Sequence, residues 1–226
     1  MMANVFIISA PSGSGKSTLV ARIRRAVPAL EFSISYTTRQ PRGVEQDGRE
    51  YFFVSRQEFE QMIRDGEFLE HADVFGNYYG TARRFLRTAS EQDNDLLLDI
   101  DVQGAAQIKA TRPEAVSIFV LPPNRSALEQ RLRMRGQDDE KTIQRRLEEA
   151  KREIENYDKY DYILVNDDLE DSVGVLKAIL LSERQRCSGN PDATLSTLAE
   201  ACRLNNVRER LDPILQSFRA VVAGSK

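Results

Sequence analysis

The chain has 226 residues, 41% of them hydrophobic and 30% charged, and a formal net charge of −3 at pH 7. That balance suits a soluble globular chain of one domain with an inserted subdomain better than two independent domains. Membrane insertion and secretion are not expected, since no run of 18 apolar residues occurs and the N-terminus lacks a basic segment leading into a long apolar one. The near-neutral charge also argues against broad binding to nucleic-acid backbones.

In chain order, Asn4-Val-Phe-Ile-Ile-Ser9 is an apolar run that predicts a buried strand. Ala10-Pro-Ser-Gly-Ser-Gly15 suits neither a strand nor a helix interior, and from Lys16 a helical face of Leu19, Val20 and Ile23 begins. Residues 32–85 break the rhythm of strands and long helices. Phe32–Tyr36 and Tyr51–Val54 predict strands, Phe59, Met62 and Ile63 a short helix ending near Gly66, and Val74–Tyr79 a third strand interrupted by the turn signal Gly76-Asn77. This stretch reads as a small mixed subdomain inserted into the core.

The core pattern then resumes. Asp95–Ile100, Ala115–Leu121 and Tyr160–Val165 predict strands, the second stopped by Pro122-Pro123. Helices are expected over Arg125–Arg135, 139–156 and 168–186, and these connections favour a parallel sheet covered by helices. Ser188-Gly-Asn-Pro191 reads as a linker to a moderately amphipathic segment, Ala193–Val222. Cys187 and Cys202 have neither metal nor redox spacing and read as reduced thiols of a cytosolic protein.

The strongest motif is Ser9-Ala-Pro-Ser-Gly-Ser-Gly-Lys-Ser-Thr18, a glycine-rich loop between a strand and a helix. Gly13-Ser-Gly-Lys-Ser17 brings backbone N–H groups to a helix N-terminus, where phosphate charge is stabilised. Lys16 reaches β- and γ-phosphates in such loops, and the Ser17 hydroxyl ligates Mg²⁺. Ala10 stands where the full pattern has glycine. Asp99 and Asp101, two apart at a strand end, are expected on one face, near a metal or a cationic ligand group. Arg131 and Arg135 share a helical face, and Gly136 allows the chain to turn before Arg146 returns. Beside a phosphate loop, this set reads as a mobile arginine-rich lid over the transferring phosphoryl group.

At these residues the chain resembles the guanylate kinase family in its bacterial form, over about residues 4–186. The resemblance rests on the loop Ser9–Thr18 and on Thr37-Thr-Arg-Gln-Pro-Arg-Gly43, Phe68-Leu-Glu-His-Ala72, Gly76-Asn-Tyr-Tyr-Gly-Thr81, Leu98-Asp-Ile-Asp101, Arg131-Leu-Arg-Met-Arg-Gly136 and Val165-Asn-Asp-Asp-Leu169, in that order. Val102 stands where the family often has tryptophan. The resemblance implies an α/β fold: a P-loop parallel sheet covered by helices, an inserted mixed α/β subdomain that binds the nucleoside monophosphate, and a helical lid. It divides the chain into a core (1–34 and 93–186), a GMP-binding insertion (35–92), a lid (125–150) and a C-terminal helical extension (187–226).

The activity it implies is Mg²⁺-assisted transfer of the ATP γ-phosphoryl group to GMP or dGMP in the cytoplasm. Nucleic acid and membrane are not expected partners, and a homo-oligomer is left open. ATP is implied on Ser12, Gly13, Ser14, Gly15, Lys16, Ser17, Thr18 and Asn166, and the metal on Ser17 and Asp99. Guanine falls to Ser35, Glu70 and Thr81 with Asp101 nearby, and the GMP phosphate to Arg39, Arg42, Tyr51 and Tyr79. Lys16, Arg39, Arg131, Arg135 and Arg146 are the implied catalytic charges. Two rivals remain at this stage: a kinase of the same fold with another small acceptor, and a non-catalytic protein-binding module of guanylate-kinase type. His71, the single histidine, reads as structural or exposed.

Overall fold

The structure, a computed structural model, describes residues 3–74, 76–134, 136, 139–189 and 192–219. The chain opens with strand β1 (Val5–Ser9), helix α1 (Lys16–Ala26) and strand β2 (Leu30–Phe32). Next come β3 (Tyr36–Thr37), β4 (Phe52–Phe53), α2 (Arg56–Arg64), β5 (Phe68–Val74), β6 (Asn77–Ala82) and α3 (Arg83–Glu91). Then follow β7 (Asp95–Asp99), α4 (Val102–Thr111), β8 (Val116–Leu121), α5 (Arg125–Met134), α6 (Glu140–Ile154) and β9 (Tyr162–Val165). The helices α7 (Leu169–Ser188), α8 (Ala193–Glu200) and α9 (Leu204–Arg219) complete the described chain.

Five strands form a parallel sheet in the order β2-β7-β1-β8-β9, and four form a mixed sheet in the order β4-β3-β6-β5. This is the expected class, a helix-covered parallel sheet with a second, mixed one. β1 and β8 are buried at every position, as strands covered on both faces must be, which explains their unbroken apolar runs. No helix among the described residues is long and apolar enough to cross a membrane. The chain divides into two compact units, one of Met1–Ile7 with Pro28–Val116 and the other of Ile8–Val27 with Ser117–Lys226.

In the first unit, β2 pairs with β7 in the register Leu30↔Asp95 to Phe32↔Leu97. The expected strand Phe32–Tyr36 is a correction: it is the end of one strand and the start of another, in different sheets. The Ser33 amide still bonds the Leu97 carbonyl (3.1 Å), whereas the Ser35 carbonyl accepts the Phe52 amide (2.9 Å) of the second sheet. Apolar periodicity carries no information about such a change of partner. The expected third strand, Val74–Tyr79, is instead a hairpin of two longer strands. Asp73 Oδ1 accepts the Gly76 amide (2.7 Å), and Gly76 takes φ +80°, a value that suits glycine at a tight turn. Along β5, Phe68, Glu70 and Ala72 are buried while His71 is exposed, so strand alternation turns Glu70 inward.

In the second unit, β9 pairs with β8, Ile118↔Tyr162 through Leu121↔Val165, and forms one edge of its sheet. That edge is covered by the chain after α8. The Cys202 carbonyl accepts the Ile163 amide (2.8 Å), and the Asp161 carbonyl accepts the Leu204 amide (3.1 Å). Covering an edge strand removes a template for unwanted pairing. Arg203 locks the join: it pairs with the buried Glu183 (2.7 Å) and with Glu200 (3.1 Å), and its guanidinium lies 4.4 Å from the Tyr162 ring centroid. The segment expected as one amphipathic stretch, 193–222, is two helices across its described part, and Val207, Leu211, Leu215 and Phe218 of α9 are buried. α9 packs against α5 and α6, and the Ser217 hydroxyl accepts the Arg125 amide (3.0 Å) where α5 begins.

Candidate active site

The glycine-rich loop joins β1 to α1. Gly13 and Gly15 take φ +94° and +90°, and Gly15 begins α1 without a side-chain cap. A helix start left uncapped in this way presents main-chain N–H groups to an anion. Two residues that the resemblance assigns to ATP and the transferring group also hold the loop's own backbone. The Asn166 amide, only 5% exposed, donates to the Ser14 carbonyl at 2.7 Å. The Arg131 guanidinium donates to that same carbonyl (3.4 Å) and to those of Asn166 (2.9 Å) and Asp167 (3.4 Å). These bonds fix the curvature of the loop. Lys16 is half-buried, Ser12, Ser17 and Thr18 are exposed, and Arg146 is half-buried on α6. Arg135 lies outside the described residues.

The loop glycines are sterically required. A Cβ on Gly13 would sit 2.8 Å from Leu128 Cδ1, and one on Gly15 would sit 2.3 Å from Asn166 Nδ2. Gly15→Ala combines that overlap with a left-handed backbone, so about 1–3 kcal/mol of stability is expected to be lost. Because relief requires Asn166 to leave Ser14, the KM for ATP is expected to rise at least about tenfold. Calorimetric melting and ATP kinetics on the variant check this; wild-type values for both contradict a braced loop.

A second set of polar groups lies in the first unit. Arg39, 9% exposed, donates through Nε to the Tyr79 hydroxyl (3.2 Å) and lies 5.3 Å from the Tyr51 ring centroid. Tyr51 and Tyr79 meet edge to face with centroids 5.8 Å apart. Arg39, Tyr51 and Tyr79 are therefore brought together as the resemblance implies, while the Arg42 side chain is exposed and Ser35 is half-buried.

Nearby in sequence space but on the hairpin, Glu70 is paired with Thr81 in the β5–β6 register and is 4% exposed. Burial pushes its carboxyl up to about 7; the Asp101 charge adds to this, and the Thr81 hydroxyl and amide oppose it. The Thr81 hydroxyl is itself buried and completes no hydrogen bond of ordinary geometry. A buried carboxyl beside a buried hydroxyl that meets it only in poor geometry is costly unless a further polar group completes their hydrogen bonds.

Asp101 requires a correction. The strand ends at Asp99, and Asp101 is the N-cap of α4, accepting the Gly104 amide at 2.9 Å and Gln103 Nε2 at 3.2 Å. The two-residue same-face argument therefore does not apply, because the chain turns into a helix between the two aspartates. No group of three or more His, Cys, Asp or Glu among the described residues is placed to hold a metal. Two residues escaped the sequence reading. Gly104 has no room for a Cβ, which would fall 2.4 Å from Glu70 Oε2; a glycine within a helix was the available signal. Glu45 is the other, and neither motif nor spacing singled it out.

A glycine-rich loop of P-loop type between β1 and α1, together with the residues Arg39, Tyr51, Tyr79 and the buried Glu70, is the set expected of a P-loop kinase that acts on a small acceptor. The guanylate kinase family model matches residues 2–183, and the chain belongs to that family. The guanylate kinase of Koribacter versatilis (strain Ellin345) is 54% identical over 226 residues, 97% of each chain. That of Hahella chejuensis (strain KCTC 2396) is 50% identical over 184 residues, covering 81% of this chain and 88% of its own. Among solved structures, the guanylate kinase from Anaplasma phagocytophilum superposes with a TM-score of 0.66 at 31% identity, over 94% of this chain and 95% of that one.

Proposed function

We propose that the chain transfers the γ-phosphoryl group of ATP directly and in line to GMP, and to dGMP, forming GDP and dGDP. The buried Glu70 facing Thr81 carries this reading. Guanine offers N1–H and N2–H₂ on one edge, and an ionised carboxylate accepts both. Adenine offers an acceptor at N1 and no amine at C2, so one carboxylate oxygen would face an acceptor. Discrimination built on such hydrogen bonds exceeds what shape gives. The Thr81 hydroxyl, with Ser35, supplies a donor for guanine O6. Arg39, Arg42, Tyr51 and Tyr79 satisfy the three anionic oxygens of a phosphate monoester with directed donors.

ATP is assigned to residues 12–18 with Asn166 beside them, and Arg131, Arg135 and Arg146 to the charge of the transferring group. Residues 35–92 serve as the GMP-binding part and 125–150 as the lid over a core of 1–34 and 93–186. Mg²⁺ fits as a cation arriving with ATP: a hard ion bound through phosphates and water needs few protein oxygens, and Ser17 and Asp99 are the residues that would hold it. Its contribution when bound is to offset phosphate charge. The cytoplasm is the setting we assign, with no nucleic acid or membrane partner.

The test is a coupled assay of ADP formation with GMP, dGMP, AMP, CMP and UMP at saturating ATP. GMP and dGMP should lead in kcat/KM by at least about 100-fold. A better acceptor among the others would make this a kinase of different specificity, and no turnover at all would leave a binding module.

A further inference from the structure

The Arg39 guanidinium is almost fully engaged. Nε donates to Tyr79 (3.2 Å), Nη1 to the Gln40 carbonyl (2.7 Å) and to Glu45 Oε2 (3.0 Å), and Nη2 to Glu45 Oε1 (3.1 Å). A guanidinium has five N–H donors, so a single one, on Nη2, has no partner among the described residues. The Glu45 carboxylate also accepts the Arg42 main-chain N–H (2.7 Å), and the Glu45 amide returns to the Arg42 carbonyl (3.0 Å). Burial alone would raise the Glu45 carboxyl, but the hydrogen bonds from Arg39 and from the Arg42 amide outweigh it and hold the group below the usual glutamate value.

We propose that Glu45 is a positioning residue for the acceptor's phosphate, acting through Arg39 and Tyr79. Its two oxygens match the guanidinium fork and fix the plane of that group. With the plane fixed, Nε–H points at the Tyr79 oxygen, and an oxygen that accepts there keeps its own proton for another acceptor. The remaining Nη2 donor and the Tyr79 O–H are then what this pair offers a phosphate monoester, beside Arg42 and Tyr51. Departure of the carboxylate would break three hydrogen bonds and unmake the turn at Arg42, so it belongs to the loop's own fold. It is not a stand-in for the ligand. This inference rests on the reading of residues 35–92 as the GMP-binding part.

The experiment compares the wild type with Glu45→Gln, Glu45→Asp, Arg39→Ala and the Arg39→Ala/Glu45→Gln pair. GMP binding is followed by titration calorimetry, guanosine binding by competition, and both KM values by steady-state kinetics. Glu45→Gln should raise the Kd and KM for GMP about 10- to 100-fold, leaving the KM for ATP and guanosine binding within about twofold. Glu45→Asp should recover part of the loss, and in the Arg39→Ala background Glu45→Gln should add less than about twofold, since coupled residues are not additive.

GMP binding that is unchanged or tighter in Glu45→Gln overturns the proposal, as does a loss that multiplies with that of Arg39→Ala. If Glu45→Gln fails to fold, Glu45→Asp decides: weakened GMP with unchanged guanosine supports the role, and unchanged GMP overturns it. A wild type that binds no GMP overturns this proposal and the reading beneath it together, whereas a GMP-binding wild type with an indifferent Glu45→Gln overturns only this one.

Discussion

Lys16→Ala is expected to retain the wild-type circular dichroism spectrum and melting temperature while its rate of phosphoryl transfer falls by about 10²- to 10³-fold or more. Lys16 is the first residue of α1, half-buried, and follows the left-handed Gly15. The Ser14 carbonyl is held by Asn166 and Arg131 and the two glycines set the turns, so the loop keeps supports that the substitution does not touch. On the proposed function, however, negative charge spreads over the phosphoryl oxygens during transfer, and the Lys16 ammonium would offset it there. Since that interaction strengthens toward the transition state, kcat should carry most of the loss and the KM for GMP little. Initial rates with saturating ATP and GMP decide the matter; a rate within threefold of wild type would remove the loop from the chemistry.

Glu70→Gln is expected to lower kcat/KM for GMP by about 10- to 1000-fold, with a much smaller change in the KM for ATP. One end of the glutamine amide is a donor, which must face a guanine donor or turn away. Bidentate readout of a base edge is worth about 1–3 kcal/mol, and loss of a charge-assisted bond adds to it. The amide can instead donate to adenine N1, so the preference for GMP over AMP should narrow. An unchanged preference would take Glu70 out of base recognition.

The raised carboxyl of Glu70 adds two pH signatures. Guanine favours the ionised form, so the empty carboxyl, at about 7, should release a proton on binding. GMP affinity should therefore weaken about tenfold per pH unit below 7. The phosphate of GMP titrates near pH 6 as well, but Glu70→Gln shares that part, and the difference between the two proteins isolates Glu70.

Stability should move the opposite way. A carboxyl raised on folding contributes stability that is fully present below its unfolded value of about 4.5 and is lost as pH rises through about 7. The stability difference between Glu70→Gln and wild type should therefore shift toward the variant by up to about 3 kcal/mol between pH 4.5 and 8. Urea denaturation at the two pH values tests this, and parallel stability profiles would mean that Glu70 is not buried in the free enzyme.

Local chemistry alone announced the phosphate loop and the core strands. Glycines that must take positive φ, a lysine at a helix start and apolar runs long enough for buried strands are properties of contiguous residues, so Val5–Ser9, Gly13–Ser17 and Val116–Leu121 could be placed from the order of amino acids. Glu70, Thr81, Arg39, Tyr51 and Tyr79 are different. Singly, each resembles an ordinary surface or cross-strand residue, and the motifs of a familiar family were needed to select them. The fold adds the physical cause: β5 alternation turns Glu70 inward, and the hairpin register sets it beside Thr81.

What the order of amino acids left open were the pairings between segments. The switch of partner between Phe32 and Tyr36, the clasp of Glu45 on Arg39, the bracing of Ser14 by Asn166 and the cover of β9 by residues 202–204 each join segments that share no period or spacing. The same holds for the charge state of Glu70, which depends on how deeply the packed hairpin buries it and on the nearness of Asp101. Periodicity reports which face of an element is apolar; desolvation, hydrogen-bond geometry and the cost of a buried charge depend on which other element closes over that face, and this exists only once the chain has folded.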